Sequence, residues 1–211
     1  MKLTLALIMI NVAVFVYMAF YTNPSDFIKQ YGFSVKAFKE GKYHTIFTSM
    51  FLHASISHLA SNMIALFFLG SSIEKRLGKL KMLTTYILSG IAGNFSMFIP
   101  MFSSPDTIGV GASAAISGLV GLGTFATSGR LVLFPSFFPF PFIVAGAIYL
   151  LVTISNLFEV SHVAHHAHLF GLLAGSSIGL ALTKHRIRKI LAFFLILLII
   201  SMLPLIIGYF M

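Results

Sequence analysis

Apolar residues fall into seven runs of about 20 positions each, which is the length that an α-helix needs to cross the hydrocarbon core of a bilayer. The predicted spans lie near residues 3–22, 56–73, 80–101, 111–129, 138–158, 163–183 and 189–210. The fold class is therefore all-α: a polytopic membrane helix bundle in which residues 1–211 form a single membrane domain.

The composition excludes several classes of protein. Hydrophobic residues make up 58% of the chain, charged residues 9%, and the mean hydropathy is +0.97, all far from the values of a water-soluble domain. No cysteine is present, which rules out disulfides, thiolate metal sites and a cysteine nucleophile.

The charge distribution predicts the orientation of the helices. Of 14 basic side chains, eight lie at positions 75–81 and 184–189, beside predicted spans, which is typical of topology signals and not of a nucleic-acid site. With these segments in the cytoplasm, ten basic residues and one acid lie inside, and four of each lie outside. We expect a multi-pass protein of the plasma membrane with a cytoplasmic N-terminus and an external C-terminus.

Two further segments have predicted places in the bundle. The fourth span is rich in glycine, and small residues let helices approach closely, so we expect it at the centre. Residues 23–55 form a loop too long for a turn and rich in aromatic side chains, which predicts a structured loop on the membrane surface.

Polar side chains inside predicted spans are the candidate functional residues, because they are costly in hydrocarbon. His58 and Asn62 lie four apart on one face of the second span. Ser113 lies in the first turn of the fourth span, and His168 lies near the start of the sixth. The second, fourth and sixth spans all enter from the external face, so these residues are expected at similar depth.

These residues supply the parts of an acyl-transfer site. Serine is a weak nucleophile until a base takes its proton, and histidine suits that role near neutral pH. A helix N-terminus adds free N–H groups at Ser113, and the His58/Asn62 pair adds donors for an oxyanion. The nearest acids, Asp106 and Glu159, lie in loops, which favours a Ser/His dyad.

Each candidate also has a structural explanation. Ser113 among small residues is typical of a packing contact, and Asn62 of a hydrogen bond between helices. Four-residue spacing predicts helix packing for Gly171, Gly175 and Gly179. A histidine cluster offers a metal-binding alternative, comprising His162, His165, His166 and His168. A metal transporter, however, would need further ligands along a path through the bilayer, and the other spans offer none, so no metal is expected.

The ordered motifs closely resemble the rhomboid family. Residues 58–62 (His-Leu-Ala-Ser-Asn) resemble its HxxxN motif, residues 111–113 (Gly-Ala-Ser) its GxS motif, and residues 168–171 (His-Leu-Phe-Gly) its histidine motif. Residues 50–53 and 74–78 resemble the segments that flank the second span. The match runs in the family's order and spacing over about residues 41–180.

The resemblance implies a six-helix rhomboid-like core, about residues 1–184, plus one C-terminal transmembrane helix, about residues 189–210. It implies an intramembrane serine endopeptidase that cleaves single-span transmembrane proteins in or near their membrane segment, without a cofactor. Ser113 is then the nucleophile and His168 the general base and acid. The oxyanion is held by Asn62, His58 and the Ser113 backbone N–H.

Three positions depart from the family pattern. Ala114 stands where glycine usually follows the nucleophile, and its methyl group is expected to crowd the oxyanion site. Ser117 stands where an aromatic residue commonly packs against the catalytic histidine, and His44-Thr45 replaces a Trp-Arg pair. These departures leave an alternative, an inactive rhomboid-like protein that binds membrane clients; a His-based metal transporter is the other alternative.

Overall fold

The computed structural model describes residues 1–133, 138–159 and 164–210, with side chains described as far as residue 204. The helices within these residues are α1 (Lys2–Tyr21), α2 (Pro24–Tyr31), α3 (Val35–Lys39), α4 (Thr45–Thr48), α5 (Ile56–Leu77), α6 (Lys79–Phe95), α7 (Ser113–Ala126), α8 (Phe142–Ser155), α9 (His165–Ala181) and α10 (Arg186–Phe210). Two short strands, β1 (Leu131–Val132) and β2 (Phe140–Pro141), pair antiparallel between α7 and α8.

Each predicted span corresponds to one helix, namely α1 and α5 to α10. The fourth is shorter than predicted: α7 begins at Ser113 because Gly111 has a φ of +123°, which a helix cannot include. The fifth begins at Phe142, after β2 and Pro141. Within the described residues, α1, α5 and α10 are long and apolar enough to cross a bilayer. The total of seven spans stays a prediction.

The outer surface of the bundle is apolar. Phe20 and Met9 on α1 are 79% and 69% exposed, and Ile187 and Leu191 on α10 are 76% and 65% exposed. A water-soluble protein does not present this much apolar surface along its helices. The helices therefore face lipid, as expected of an integral membrane protein.

Helix α7 is the centre of the bundle, as predicted from its glycines. All its residues from 114 to 125 are buried. A Cβ atom added to Gly171 or Gly175 of α9 would meet the carbonyl oxygen of Ala114 or Gly118, and one added to Gly179 would lie 2.9 Å from that of Leu122. The predicted packing role of the three α9 glycines is confirmed. Because residue numbers rise together along both helices, α7 and α9 run parallel.

A buried carboxylate joins α1 to α5. Glu74, near the end of α5, is 5% exposed and accepts hydrogen bonds from the N–H groups of Leu3 (3.1 Å) and Thr4 (2.8 Å). The Thr4 hydroxyl donates to the same carboxylate at 2.7 Å. N–H groups in the first turn of a helix have no partner within the helix, so Glu74 caps α1 from a neighbouring helix.

Helix α10 packs against the end of α7. The Lys189 ammonium donates to the carbonyl oxygen of Phe125 at 2.6 Å, and the Phe193 ring lies 5.4 Å from the Phe125 ring. Carbonyl groups in the last turn of a helix also lack intrahelical partners, so this lysine satisfies one of them. The C-terminal helix is thereby attached to the central helix.

The segment between α1 and α5 is structured, as predicted, and it contacts the residues before α7. It contains α2, α3, α4 and a 3-10 turn at Ser49–Phe51. Phe33 is fully buried, and its N–H and C=O exchange hydrogen bonds with Gly109 at 3.0 and 2.8 Å. Its location on the membrane surface stays a prediction.

Candidate active site

Ser113 is the first residue of α7, directly after a tight turn at Gly111. The Gly111 N–H donates to the Ser49 carbonyl at 2.9 Å, which fixes the approach of the chain to the helix. Because α7 starts here, the Ser113 N–H has no acceptor within the helix. The half-buried Ser113 hydroxyl therefore lies beside free backbone donors and the positive end of the helix dipole.

His58 and Asn62 of α5 face this turn. A Cβ atom added to Gly111 would lie 2.7 and 2.8 Å from Cε1 and Nε2 of His58, and 3.7 Å from Nδ2 of Asn62. Helix α5 begins after Ser55, whose hydroxyl accepts the His58 N–H at 3.2 Å, and this cap places His58 in the first turn. Both side chains thus lie against the backbone two residues before Ser113.

The Asn62 amide is buried beside the turn that precedes α7. Asn62 is 7% exposed, and its Nδ2 is 3.7 Å from the point where Gly111 would carry a Cβ. Within the described part of the chain, this Nδ2 makes no hydrogen bond to another residue. A donor in this position can bond a negative oxygen that forms beside the start of α7 during a reaction.

The parallel packing of α7 and α9 brings His168 to the same end of the bundle. The Ala114 Cβ and the Ala167 carbonyl oxygen both lie close to the point where Gly93 of α6 would carry a Cβ. Ser113 and His168 are the immediate neighbours of these two residues. Within the described residues no hydrogen bond joins the Ser113 hydroxyl to the half-buried His168. Catalytic hydrogen bonds are often long before substrate binds.

Two residues that sequence reasoning missed hold the loop and the turn together. The Asn94 amide, near the end of α6, donates to the Ile46 carbonyl at 2.8 Å and to the Ser49 hydroxyl at 3.0 Å. Ser49 in turn accepts the Gly111 N–H. Asn94 and Ser49 therefore link α6, the loop and the turn before Ser113, through contacts that no local sequence pattern reveals.

His53 is a third residue whose place was not predicted. It is fully buried in the loop just before α5, and its ring lies edge-on to that of His58 with centroids 5.0 Å apart. Burial and the neighbouring His58 lower the pKa of His53 to about 4. His53 is therefore neutral at physiological pH, and in this state it packs against the ring of His58.

The three departures from the family pattern have structural explanations. The expectation that Ala114 crowds the oxyanion site is not supported, because its methyl group is directed at Gly93 of α6. The Ser117 hydroxyl bonds that of Tyr149 at 2.6 Å. His44 contacts the Gln30 carbonyl at 3.3 Å, and the Thr45 hydroxyl donates to the Lys42 carbonyl at 2.7 Å, so both serve the loop.

The histidines of the metal-binding alternative are partly engaged elsewhere. The ring of His166 is stacked on Phe102, and its Nδ1 is 2.7 Å from the Ser96 hydroxyl. His165 and His168 contact each other edge-on at 5.7 Å, and His162 lies outside the described residues. Among the described residues no three His, Asp or Glu side chains are grouped closely enough to hold a metal ion.

The fold and the site define a membrane helix bundle with a serine at a buried helix N-terminus and a histidine on the parallel neighbouring helix. The chain belongs to the rhomboid family: the family model described as "Rhomboid domain" matches residues 40–185. This confirms the resemblance of the motifs.

Several relatives are named as rhomboid proteins. Rhomboid protease AarA of Providencia stuartii is 31% identical over 212 residues, which cover 88% of this chain and 75% of AarA. RHOMBOID-like protein 12, mitochondrial, of Arabidopsis thaliana is 28% identical over 87% of this chain and 59% of its own length. Rhomboid protease GluP of Bacillus subtilis is 31% identical over 64% of this chain and 25% of its own length. At the level of the family, the chain is an integral membrane protein of the intramembrane protease class.

The contact between Gly111 and His58 leads to a first prediction. Gly111→Ala places a methyl group against the His58 ring and strains a backbone with a φ of +123°, so fluorophosphonate labelling of Ser113 is expected to fall at least about 100-fold. Gly78→Ala is the matched control: its φ is +88°, but a Cβ there meets nothing within 4 Å. Equal loss in both variants would refute the proposed contact.

The buried His53 predicts acid sensitivity of the fold. An unfolded histidine binds a proton below about pH 6.5, whereas folded His53 binds one only near its pKa of about 4. Stability is therefore lost as pH falls from 6.5 towards 4, by up to about 1.4 kcal/mol per pH unit. His53→Gln should flatten the apparent Tm over this range, and the exposed His185→Gln should not. An unchanged profile in His53→Gln would contradict the assignment.

Proposed function

We propose that the protein is a serine endopeptidase that hydrolyses peptide bonds in or near the transmembrane segment of single-span membrane proteins. Ser113 is the nucleophile and His168 is the general base and acid. The observation that carries the proposal is the position of the His58 ring and of the buried Asn62 Nδ2, which lie against the turn that begins the Ser113 helix. A packing role for Ser113 does not require two side-chain N–H donors at this turn.

The first half of the reaction forms an acyl-enzyme. His168 takes the proton of the Ser113 hydroxyl, whose oxygen attacks the carbonyl carbon of the scissile bond. The carbonyl oxygen becomes an anion and accepts hydrogen bonds from the Ser113 N–H, Asn62 and His58. His168 then gives its proton to the leaving amine as the C–N bond breaks.

The second half releases the product. His168 takes a proton from a water molecule, and the resulting hydroxide attacks the ester carbonyl. The same donors hold the second oxyanion. The Ser113–carbonyl bond breaks, Ser113 recovers its proton from His168, and the new carboxylate leaves. The cycle needs no cofactor.

The proposed substrate class rests on the family resemblance and has a physical reason. Loops within the hydrocarbon core are excluded because their backbone groups would be unsatisfied, so a membrane segment reaches the site as a helix. The scissile carbonyl of a helix is bonded to its own chain and must be freed before attack. Segments that unwind easily near the membrane surface are therefore the proposed substrates.

The proposed orientation comes from the charge asymmetry of the loops, and the plasma membrane is the proposed location. The N-terminus is cytoplasmic, the C-terminus is external, and the protein resides in the plasma membrane. The Ser113 end of the bundle then faces the external side.

Labelling of detergent-purified protein with a fluorophosphonate probe tests the dyad. Wild type should be labelled, whereas Ser113→Ala and His168→Ala should not, because the first lacks the nucleophile and the second lacks its base. Two controls should be labelled like wild type: Ser177→Ala, a serine on the exposed side of α9, and His165→Ala, which neighbours His168. Asn62→Ala should slow labelling by about 10²–10³, the usual effect of losing one oxyanion donor.

The outcomes separate the alternatives. Absence of labelling in folded wild-type protein would contradict the proposal and favour a client-binding protein without activity. Labelling that persists in Ser113→Ala would show that another serine is the nucleophile. If His165→Ala abolished labelling as His168→Ala does, the dyad would be wrong.

The absence of cysteine allows a direct test of orientation. Lys39→Cys and Lys79→Cys each replace an exposed lysine, the first in the loop before α5 and the second at the start of α6. A membrane-impermeant maleimide added to intact cells should label only Lys39→Cys, and Lys79→Cys should react after permeabilisation. The reverse pattern would overturn the orientation.

A further inference from the structure

Tyr149 of α8 contacts the side chain of His168. The two ring centroids are 6.5 Å apart and the ring planes are inclined by 32°, within the range of favourable aromatic contacts. Tyr149 is half-buried and lies in the middle of α8. None of the candidate site residues of the sequence lies on this helix.

The hydroxyl of Tyr149 is anchored to the helix that carries the nucleophile. It lies 2.6 Å from the Ser117 Oγ, and Ser117 donates to the Ser113 carbonyl at 2.8 Å. A serine hydroxyl has one proton and a carbonyl oxygen only accepts, so both hydrogen bonds form together when Ser117 donates to the Ser113 carbonyl and Tyr149 donates to Ser117. A directed chain thus runs from Tyr149 through Ser117 to the backbone of Ser113. Successive hydrogen bonds of this kind strengthen one another.

His168 needs such support because no carboxylate in the described part of the chain bonds to it. The titratable groups that surround it are the imidazoles of His58, His165 and His166, together with the phenol of Tyr149. In hydrolases with a third acidic group, that group fixes the plane of the base. Here the Tyr149 ring, which is linked to Ser113 through Ser117, lies beside His168 and restricts the rotation of its imidazole.

We propose that Tyr149 is a positioning residue for His168. The hydrogen bond from its hydroxyl to Ser117 fixes the position of the Tyr149 ring along α7. This inference rests on the proposed function. It assigns α8 a part in the site, because the orientation of the base then depends on the contact between α8 and α7. It also gives Ser117 a specific role as the link between the aromatic ring and the nucleophile.

The test measures the labelling kinetics with a fluorophosphonate probe. Tyr149→Phe keeps the aromatic ring but removes its hydrogen bond to Ser117. Ser117→Ala removes the same hydrogen bond by deleting the partner hydroxyl. Each should lower the maximal inactivation rate constant about fivefold, the typical effect of one lost hydrogen bond, and the double variant should lose no more than either alone. Tyr149→Leu removes the ring and should lower it about 100-fold, as misplaced catalytic groups do.

Two further readouts separate positioning from a general structural effect. The probe concentration at half-maximal rate should stay unchanged, because Tyr149 acts on the base and not on probe binding. Tyr86→Phe is the matched control, since it removes a buried phenol hydroxyl from α6, outside these contacts, and its rate constant should equal that of wild type. Melting temperatures are recorded for every variant.

Definite outcomes would overturn the inference. If Tyr149→Phe and Tyr149→Leu stayed within about twofold of wild type, His168 would not depend on Tyr149. Additive losses in the Tyr149→Phe/Ser117→Ala double variant would break the proposed link. If Tyr149→Leu does not fold, the Phe and Ala variants decide alone. Failure of wild-type labelling would instead refute the proposed function.

Discussion

The close contact between the backbones of α7 and α9 is the constraint on which the rest of the structure depends. Glycines one turn apart on α9 face the carbonyl groups of α7, with no room for a single added carbon at Gly171 or Gly175. In lipid, where water does not drive helices together, such packing is a main source of association. It also sets the register: Ser113 and His168 both precede the first of these contacts and so lie at the same end.

A second set of contacts determines how the chain enters α7. The loop before α5 bonds to Gly109 and Gly111, while Asn94 holds the loop from α6. The position of Ser113 therefore depends on the loop before α5 and on α6, neither of which is next to it in sequence.

Much of this could be predicted from the sequence because it depends on local patterns. Apolar runs predicted the helices, and the high glycine content of the fourth span predicted its place at the centre of the bundle. His58 and Asn62 follow from four-residue spacing. The start of α7 was misplaced, since the sequence does not state which glycine adopts a positive φ. Ala114 could not be judged either, because the direction of its methyl group depends on Gly93. Tyr149 contacts Ser117 and His168, which are distant in the chain, so no spacing rule marks it. His53 lies in a loop close to His58, and its complete burial depends on the tertiary packing.

The hydrogen bond between Lys189 and the Phe125 carbonyl gives the C-terminal helix a structural role. Helix α7 has 14 residues and is about 21 Å long, so a charge at its far end contributes little to the potential at Ser113. The contribution of α10 is therefore structural and not electrostatic. It stabilises the C-terminal end of the central helix against fraying, and a chain shortened before α10 would keep Ser113 and its polar neighbours yet lose the contact that holds the end of α7.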